Sequence, residues 1–165
     1  MIQIKTALPL LSVVLSVVLS AVFSVLCSLL FGAAARAQEG PQPPLPNITL
    51  QAGLHLIKAE VARTPQQVQT GMMFRREMGN NEAMLFVFGD LAPRCFWMKN
   101  TLLPLSIAFL ADDGQIVQIN DMQPRDEASH CTKTAVRYAL EMNQGWFAKR
   151  GVKPGMKLKG APFVP

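Results

Sequence analysis

The chain has 165 residues, of which 50% are hydrophobic and 16% are charged, and its formal net charge at pH 7 is +5. That length suits one small domain with a single core. Apart from Arg75-Arg76 and Lys149-Arg150 the basic residues are scattered, whereas nucleic-acid binding needs a clustered basic stripe. We therefore exclude nucleic acid as a partner.

The N-terminal region has the pattern of an export signal. Lys5 is followed by an apolar run over residues 8–31 and then by Ala35-Arg36-Ala37, which predicts a signal peptide over residues 1–37, cleaved after Ala37. The run reaches the ~20 residues that span a bilayer, so the alternative is an uncleaved anchor in the inner membrane. In both cases the rest of the chain is expected in the periplasm and meets the membrane only through this segment.

Residues 38–47 contain four prolines and no apolar period, which predicts an extended tether. The globular domain is predicted over residues 48–165. Its first strand is expected over residues 54–62, with a bulge at Ile57 where the alternation slips by one residue. The run Thr64-Pro65-Gln66-Gln67 predicts a capped helix that ends at Gly71.

The following segments are mostly short and apolar. Residues 83–88 are continuously apolar, which predicts a strand buried on both faces, and Asp112-Asp113-Gly114 predicts a hairpin turn. The clean alternation of residues 136–142 predicts a strand with Tyr138 and Leu140 facing inward and Arg137, Ala139 and Glu141 facing outward. Further strands are expected over residues 96–98, 105–110, 116–119 and 156–158, a polar loop over 121–134 and a helical turn over 146–150.

These elements predict a mainly β (α+β) domain, built as a small, partly open β-barrel or a sandwich. It should contain about six short strands and one or two short helices. Cys95 and Cys131 are the two cysteines of the exported part, and their even number in an oxidising compartment predicts a disulfide. Closing the loop between them is expected to stabilise the fold by roughly 4 kcal/mol.

Several strings resemble a known family. They are Gly71-Met72-Met73-Phe74-Arg75, Phe96-Trp97-Met98-Lys99-Asn100-Thr101, Pro104-Leu105, Tyr138-Ala139-Leu140-Glu141 and Gly151-Val152-Lys153-Pro154-Gly155. Together they resemble the bacterial and archaeal family catalogued as domain of unknown function 192. The resemblance implies a small exported or membrane-anchored β-rich domain of unestablished activity. Where members often carry Asp after Pro-Leu, this chain has Ser106, which weakens any role for a carboxylate there.

The sequence places no catalytic pair together. His130 adjoins Cys131, but successive side chains on an extended segment point apart, so a disulfide is favoured over a thiol nucleophile. Glu141 could face solvent or pair with Arg75 in a second, polar pocket, and no other carboxylate is placed beside it. Ser106 and Ser129 lack the setting of a hydrolase nucleophile. We therefore name no catalytic residue, and an envelope hydrolase remains only an alternative.

No cofactor and no metal ligand is predicted either. Methionine and cysteine suit Cu(I), which keeps a soft-metal carrier as a second alternative, but several methionines fall at core positions of predicted strands. What remains is a non-catalytic accessory module that binds a small ligand or an envelope protein. The residues expected to form its site offer an aromatic floor with polar groups at its edge: Arg75, Trp97, Lys99, Asn100, Thr101 and Glu141.

Overall fold

The computed structural model describes residues 40–163. The predicted signal peptide or anchor lies outside this range. Within the described residues, neither helix has the length and apolar character needed to cross a membrane.

The described part of the chain is mainly β, as predicted. Seven strands form one sheet in the order β6-β5-β8-β3-β2-β1-β9, and β4 and β7 form a separate two-stranded ladder. All neighbours in the sheet are antiparallel except β2 and β3, which are parallel and connected through α1. The elements are β1 (Asn47–Ala52), β2 (His55–Ala62), α1 (Pro65–Thr70), β3 (Glu82–Ala92), β4 (Cys95–Phe96), β5 (Leu105–Leu110), β6 (Ile116–Met122), β7 (His130–Cys131), β8 (Val136–Asn143), α2 (Trp146–Lys149) and β9 (Leu158–Lys159).

The sheet curls so that its two ends approach each other. An isolated bridge joins Gln115 to Lys157. Beside it, the Ile116 N–H donates to Met156 O at 2.8 Å and the Leu158 N–H donates to Gly114 O at 2.9 Å. The start of β6 therefore meets the start of β9, and the sheet is a half-barrel. Of the two arrangements that the sequence left open, a partly open barrel and a sandwich, the structure is the partly open barrel.

Both faces of the curled sheet are buried, each in its own hydrophobic cluster. The first cluster includes Leu85 and Leu140 and is covered by Trp146 and Phe147 of α2. The second includes Phe86 and Phe109 on the opposite face, with further members from the segments that follow α1 and β4: Met72 and Met98. Because the central strands β5 and β8 lie between the two clusters, nearly every one of their side chains is buried.

This arrangement corrects the prediction for residues 136–142. The alternation of β8 was expected to place Ala139 and Glu141 outward, but both are buried, with Ala139 at 0% and Glu141 at 4% exposure. The outward face of the strand packs into the second cluster instead of facing water. Only Arg137 of the three stays partly exposed.

The predicted bulge at Ile57 is also wrong. Residues 47–52 form β1, which pairs with β2 across a turn at Gly53, where φ is +60°. Leu54 belongs to this turn and is 96% exposed, whereas Ile57 is fully buried. Leu56, inside β2, is also exposed, so the slip in the apolar alternation marks where the buried side of β2 begins at Ile57.

The segment before β1 packs against the domain through Gln42 and Leu45. Gln42 Nε2 donates to Gly71 O at 2.9 Å, and the Leu45 N–H donates to a carboxylate oxygen of Glu60 at 2.8 Å. Both Gln42 and Leu45 are buried. The segment was predicted as an extended tether over residues 38–47, and its Gln42 and Leu45 pack against the domain.

The start and the end of α1 follow the prediction. The Thr64 side chain accepts from the Gln67 N–H, and the Gln67 side chain accepts from the Thr64 N–H, which together form a capping box. Gly71 ends the helix at a φ of +46°. The chain then turns onto the second cluster and enters the candidate site.

Candidate functional site

Glu141 is a buried carboxyl group on the central strand β8. Its neighbours across the ladders are Met84 on β3 and Ile107 on β5, so it lies in apolar surroundings. No donor of the described residues reaches its Oε2 atom. Burial raises the pKa of Glu141 to about 8, because an apolar environment disfavours the charged form.

A cavity of about 200 Å³ contains Glu141 in its wall. The end of α1 and the turn after it contribute one side, and the segment around β4 contributes the opposite side. The lining is mostly apolar, aromatic or thioether-bearing, with few polar side chains. The residues around it are Val68, Gln69, Thr70, Gly71, Met72, Met73, Phe86, Cys95, Phe96, Trp97, Thr101 and Glu141.

Three of the six residues predicted for the site meet at this cavity. Trp97 lines it and is 48% exposed, which places this ring at the edge that reaches solvent. Thr101 also lines it and is buried at 4% exposure. Glu141 is the third. These three residues place an aromatic ring, a hydroxyl and a carboxyl around one cavity, with the carboxyl buried.

Lys99 and Asn100 are outside the lining. Lys99 Nζ lies 5.3 Å from the centroid of the Trp97 ring, a cation–π contact. Asn100 has a φ of +61°, and its carbonyl accepts from the Phe74 N–H at 2.8 Å. Asn100 thus ties the turn after β4 to the turn after α1, which is a structural contribution to the rim.

Arg75 does not pair with Glu141, contrary to the alternative that the sequence left open. It forms a two-pronged ion pair with Glu60, at 2.6 and 2.7 Å, and Glu60 also accepts from the Leu45 N–H. Burial acts to raise the pKa of Glu60, but the hydrogen bonds from Arg75 and Leu45 and the charge of Arg75 outweigh it, so the pKa is lowered. Both terminal nitrogen atoms of the Arg75 guanidinium therefore donate to Glu60.

Cys95 lies beside the cavity and faces Cys131 across the β4–β7 ladder. Their sulfur atoms are joined in the structure. His130 pairs with Phe96 in the same ladder, and its Nε2 atom lies 3.6 Å from Asp126 Oδ2. Because their sulfur atoms are joined, neither Cys95 nor Cys131 offers a free thiol to His130.

No cluster of three His, Cys, Asp or Glu side chains suited to a metal ion occurs within residues 40–163. The two histidines are engaged elsewhere: His55 packs edge-on against Trp146 at 5.9 Å between ring centroids, and His130 lies beside Asp126. The soft-metal alternative gains no support from these side chains.

Sequence reasoning missed one half of the cavity wall. Gly71, Met72 and Met73 line it directly after α1, and Phe86 and Phe96 complete the aromatic part. A usable signal was present, because a helix ended by glycine turns the chain sharply and two methionines follow. The pairing of that turn with the segment around Trp97 depends on the fold and could not be read from spacing.

Residues 48–160 match the model of a family described as DUF192: Uncharacterized ACR, COG1430. A comparison with curated proteins finds no match.

Several solved structures resemble this chain, including the following two. One comes from Sinorhizobium meliloti 1021 and is named as a candidate transcription regulator; it is 39% identical, with a TM-score of 0.66, and the match covers 70% of this chain and 92% of that one. The other comes from Novosphingobium aromaticivorans DSM 12444 and is of unknown function. It is 33% identical, with a TM-score of 0.68, and the match covers 78% of this chain and 94% of that one.

Proposed function

Because the chain belongs to the uncharacterised DUF192 family, we propose a function from its site: a non-catalytic binding module of the bacterial envelope that holds a small ligand in the cavity beside Glu141. The observation that carries this proposal is the buried Glu141 carboxyl, which lines a cavity and has an oxygen without a donor among the described residues. A buried polar group without a hydrogen bond costs free energy. A ligand that supplies the missing partner would recover it.

The composition of the cavity supports a small-ligand site. Such sites are concave and mostly apolar, with a few polar groups that orient the ligand. Here Glu141 and Thr101 are polar, and Phe86, Phe96 and Trp97 are aromatic. The half-exposed Trp97 ring gives the cavity an edge at which a ligand can enter.

The location in the envelope is part of the proposal. It is supported by the basic start, the apolar run over residues 8–31 and the Ala35-Arg36-Ala37 motif. The joined Cys95 and Cys131 suit an oxidising compartment. An envelope protein remains the alternative partner, and Trp97 would then be its contact point.

Acid–base catalysis is the second candidate, and the raised pKa of Glu141 favours it. A carboxyl group with a pKa of about 8 is protonated at neutral pH and could donate a proton, and such groups concentrate at active sites. Among the described residues that line the cavity, however, no second ionisable side chain accompanies it once Cys95 is joined to Cys131. We therefore favour binding over hydrolysis.

The test is a native mass spectrum of the protein purified from its own envelope fraction. The wild type should carry an additional small mass. Trp97→Ala should lower the affinity about tenfold, since truncating an aromatic wall costs ~1 to 2 kcal/mol. Leu91→Ala is the matched control, because Leu91 is a similarly exposed hydrophobic residue outside the cavity lining.

A wild-type protein that is always recovered bare would remove the small-ligand proposal, and cross-linking to envelope proteins would follow. If the bound molecule leaves the protein chemically changed, the acid–base candidate replaces the non-catalytic one.

A further inference from the structure

We propose that the ligand of this cavity is a small organic cation, of the class of primary alkylamines, whose ammonium group pairs with the Glu141 carboxylate. This inference rests on the proposed function and names the chemistry of the ligand. It follows from the charge, the aromatic content and the size of the cavity.

The charged groups around the cavity leave the carboxylate without a cationic partner from the chain. The lining contains an acid but no lysine, arginine or histidine among the described residues. Arg75 is held by Glu60 at 2.6 Å, and Lys99 lies over the Trp97 ring at the edge. When Glu141 ionises, it becomes a buried charge that is stable only when it is paired, so the ligand that complements the ionised form carries a positive charge.

The aromatic side chains favour the same class. Phe86, Phe96 and Trp97 line the cavity, and the faces of such rings attract ammonium groups. The contact of Lys99 Nζ with the Trp97 ring, at 5.3 Å, shows that this ring already receives an ammonium. The thioethers of Met72 and Met73 add a polarisable surface for an alkyl chain.

The volume limits the size of the ligand. About 200 Å³ corresponds to the space of roughly seven water molecules in the liquid. An ammonium group with a short alkyl chain fits this space.

The charged form of Glu141 is needed for this pairing, so affinity should depend on pH. The strand neighbours that face it, Met84 and Ile107, carry no charge, and Glu60, Arg75 and Lys99 have the partners given above. With a pKa of about 8, the carboxyl is mostly protonated at pH 6 and mostly ionised at pH 9. An ammonium ligand should therefore bind more tightly as pH rises.

The experiment compares n-butylamine with 1-butanol, a neutral molecule of matched size, on the protein purified from the envelope. Binding is followed by the NMR signal of the Trp97 indole N–H, assigned by its loss in Trp97→Ala. The amine stays protonated to about pH 10, like lysine. The dissociation constant of the amine should fall about 100-fold between pH 6 and pH 9, because the fraction of the protein with ionised Glu141 rises. The dissociation constant of the alcohol should change little.

Glu141→Gln should abolish the pH dependence of amine binding and weaken it at pH 9 to the level of the alcohol. Glu127→Gln, at an exposed glutamate, should leave both unchanged. If the alcohol binds as well as the amine at pH 9 and Glu141→Gln has no effect, the amine class is wrong while the binding cavity stands. If neither molecule moves the Trp97 signal at pH 9, both the amine class and the small-ligand cavity are overturned.

Discussion

Glu141 is a single residue whose burial lowers the stability of the fold that contains it. It lies between the apolar residues of β3 and β5, at 4% exposure, and burial raises its pKa to about 8. The unfolded chain would ionise this group near its ordinary value of 4.5. The native state therefore holds a proton that the unfolded state releases.

This difference makes stability fall as pH rises. Below pH 4.5 both states are protonated, and the group has no effect. Between pH 4.5 and about 8 only the unfolded state loses its proton, and this ionisation stabilises the unfolded state relative to the native state. Above pH 8 the native state ionises too and then holds a buried charge. The total loss is on the order of 5 kcal/mol.

We predict that Glu141→Gln removes this loss. The variant should match the wild type at pH 4 and exceed it in free energy of unfolding by on the order of 3 to 5 kcal/mol at pH 9. Urea unfolding at a series of pH values measures this. Glu127→Gln, at an exposed site, is the control and should follow the wild-type curve; a Glu141→Gln curve parallel to the wild type would show that the carboxyl titrates normally.

Ser106 is a second residue whose role depends on a neighbouring strand. The family resemblance implied an Asp after Pro104-Leu105, and the serine found there weakened the expectation of a carboxylate role. In the structure the Ser106 hydroxyl donates to the carboxylate of Asp121, which is directly opposite on β6, and accepts from the Gly145 N–H at 2.8 Å. The neighbouring strand thus supplies a carboxylate at this position, which cross-strand pairing explains.

At the scale of elements, the turn between β5 and β6 has a role beyond reversing the chain. Gly114 has a φ of +79°, and its carbonyl accepts from the Leu158 N–H of β9. A Cβ atom at this position would lie 2.5 Å from Leu158 O. The turn must therefore be glycine for β9 to close against the start of β6.

We predict that Gly114→Ala destabilises the protein by about 2 to 3 kcal/mol, through backbone strain and displacement of β9. Gly89→Ala is the control, because Gly89 has an ordinary φ and a methyl group added there would have open space for 4 Å around it. This control should change stability by less than about 1 kcal/mol. Thermal unfolding of both variants measures the difference. Equal melting temperatures would mean that β9 contributes little to closure.

Local signals predicted some elements well. The cap at Thr64 and the glycine at position 71 correctly bound α1, and Asp112-Asp113-Gly114 correctly marks the turn before β6. These features depend on contacts between residues close in sequence. The parallel pairing of β2 with β3 and the packing of Gln42 against Gly71 depend on residues that are far apart in sequence. Both features could therefore be seen only in the folded structure.

The site was predictable to a similar extent. The string around Trp97 pointed to a rim because an aromatic ring and polar turn residues stood together, and Trp97 and Thr101 do line the cavity. The partner of Arg75 could not be predicted, because Glu60 and Glu141 were both available carboxylates. The inward face of β8 was identified correctly, but a strand buried on both faces hides its second face from an alternation argument.

At the scale of the whole molecule, the sheet separates two hydrophobic clusters, and the candidate site lies on the side of the second. The wall that carries Trp97 is attached to a two-residue ladder, β4 with β7, and not to the main sheet. Four residues in such a ladder provide few hydrogen bonds. The link between Cys95 and Cys131 is therefore important for holding the loop after β6 beside the cavity.

We predict that breaking this link costs about 4 kcal/mol, because the two cysteines are 36 residues apart and the cross-link restricts the unfolded chain. Reductant should lower the urea midpoint of the wild type by the equivalent amount. The double variant Cys95→Ser/Cys131→Ser should unfold at that lower midpoint with or without reductant, which makes it the matched control.

Both cysteines are exposed, so their replacement by serine leaves no cavity in the core and isolates the effect of the cross-link. The intact mass of the wild type should rise by two hydrogens on reduction, and that of the double variant should not change. A wild-type midpoint that is unaffected by reductant, despite this mass change, would mean that packing of the aromatic residues against Phe96 alone holds the rim of the cavity in place.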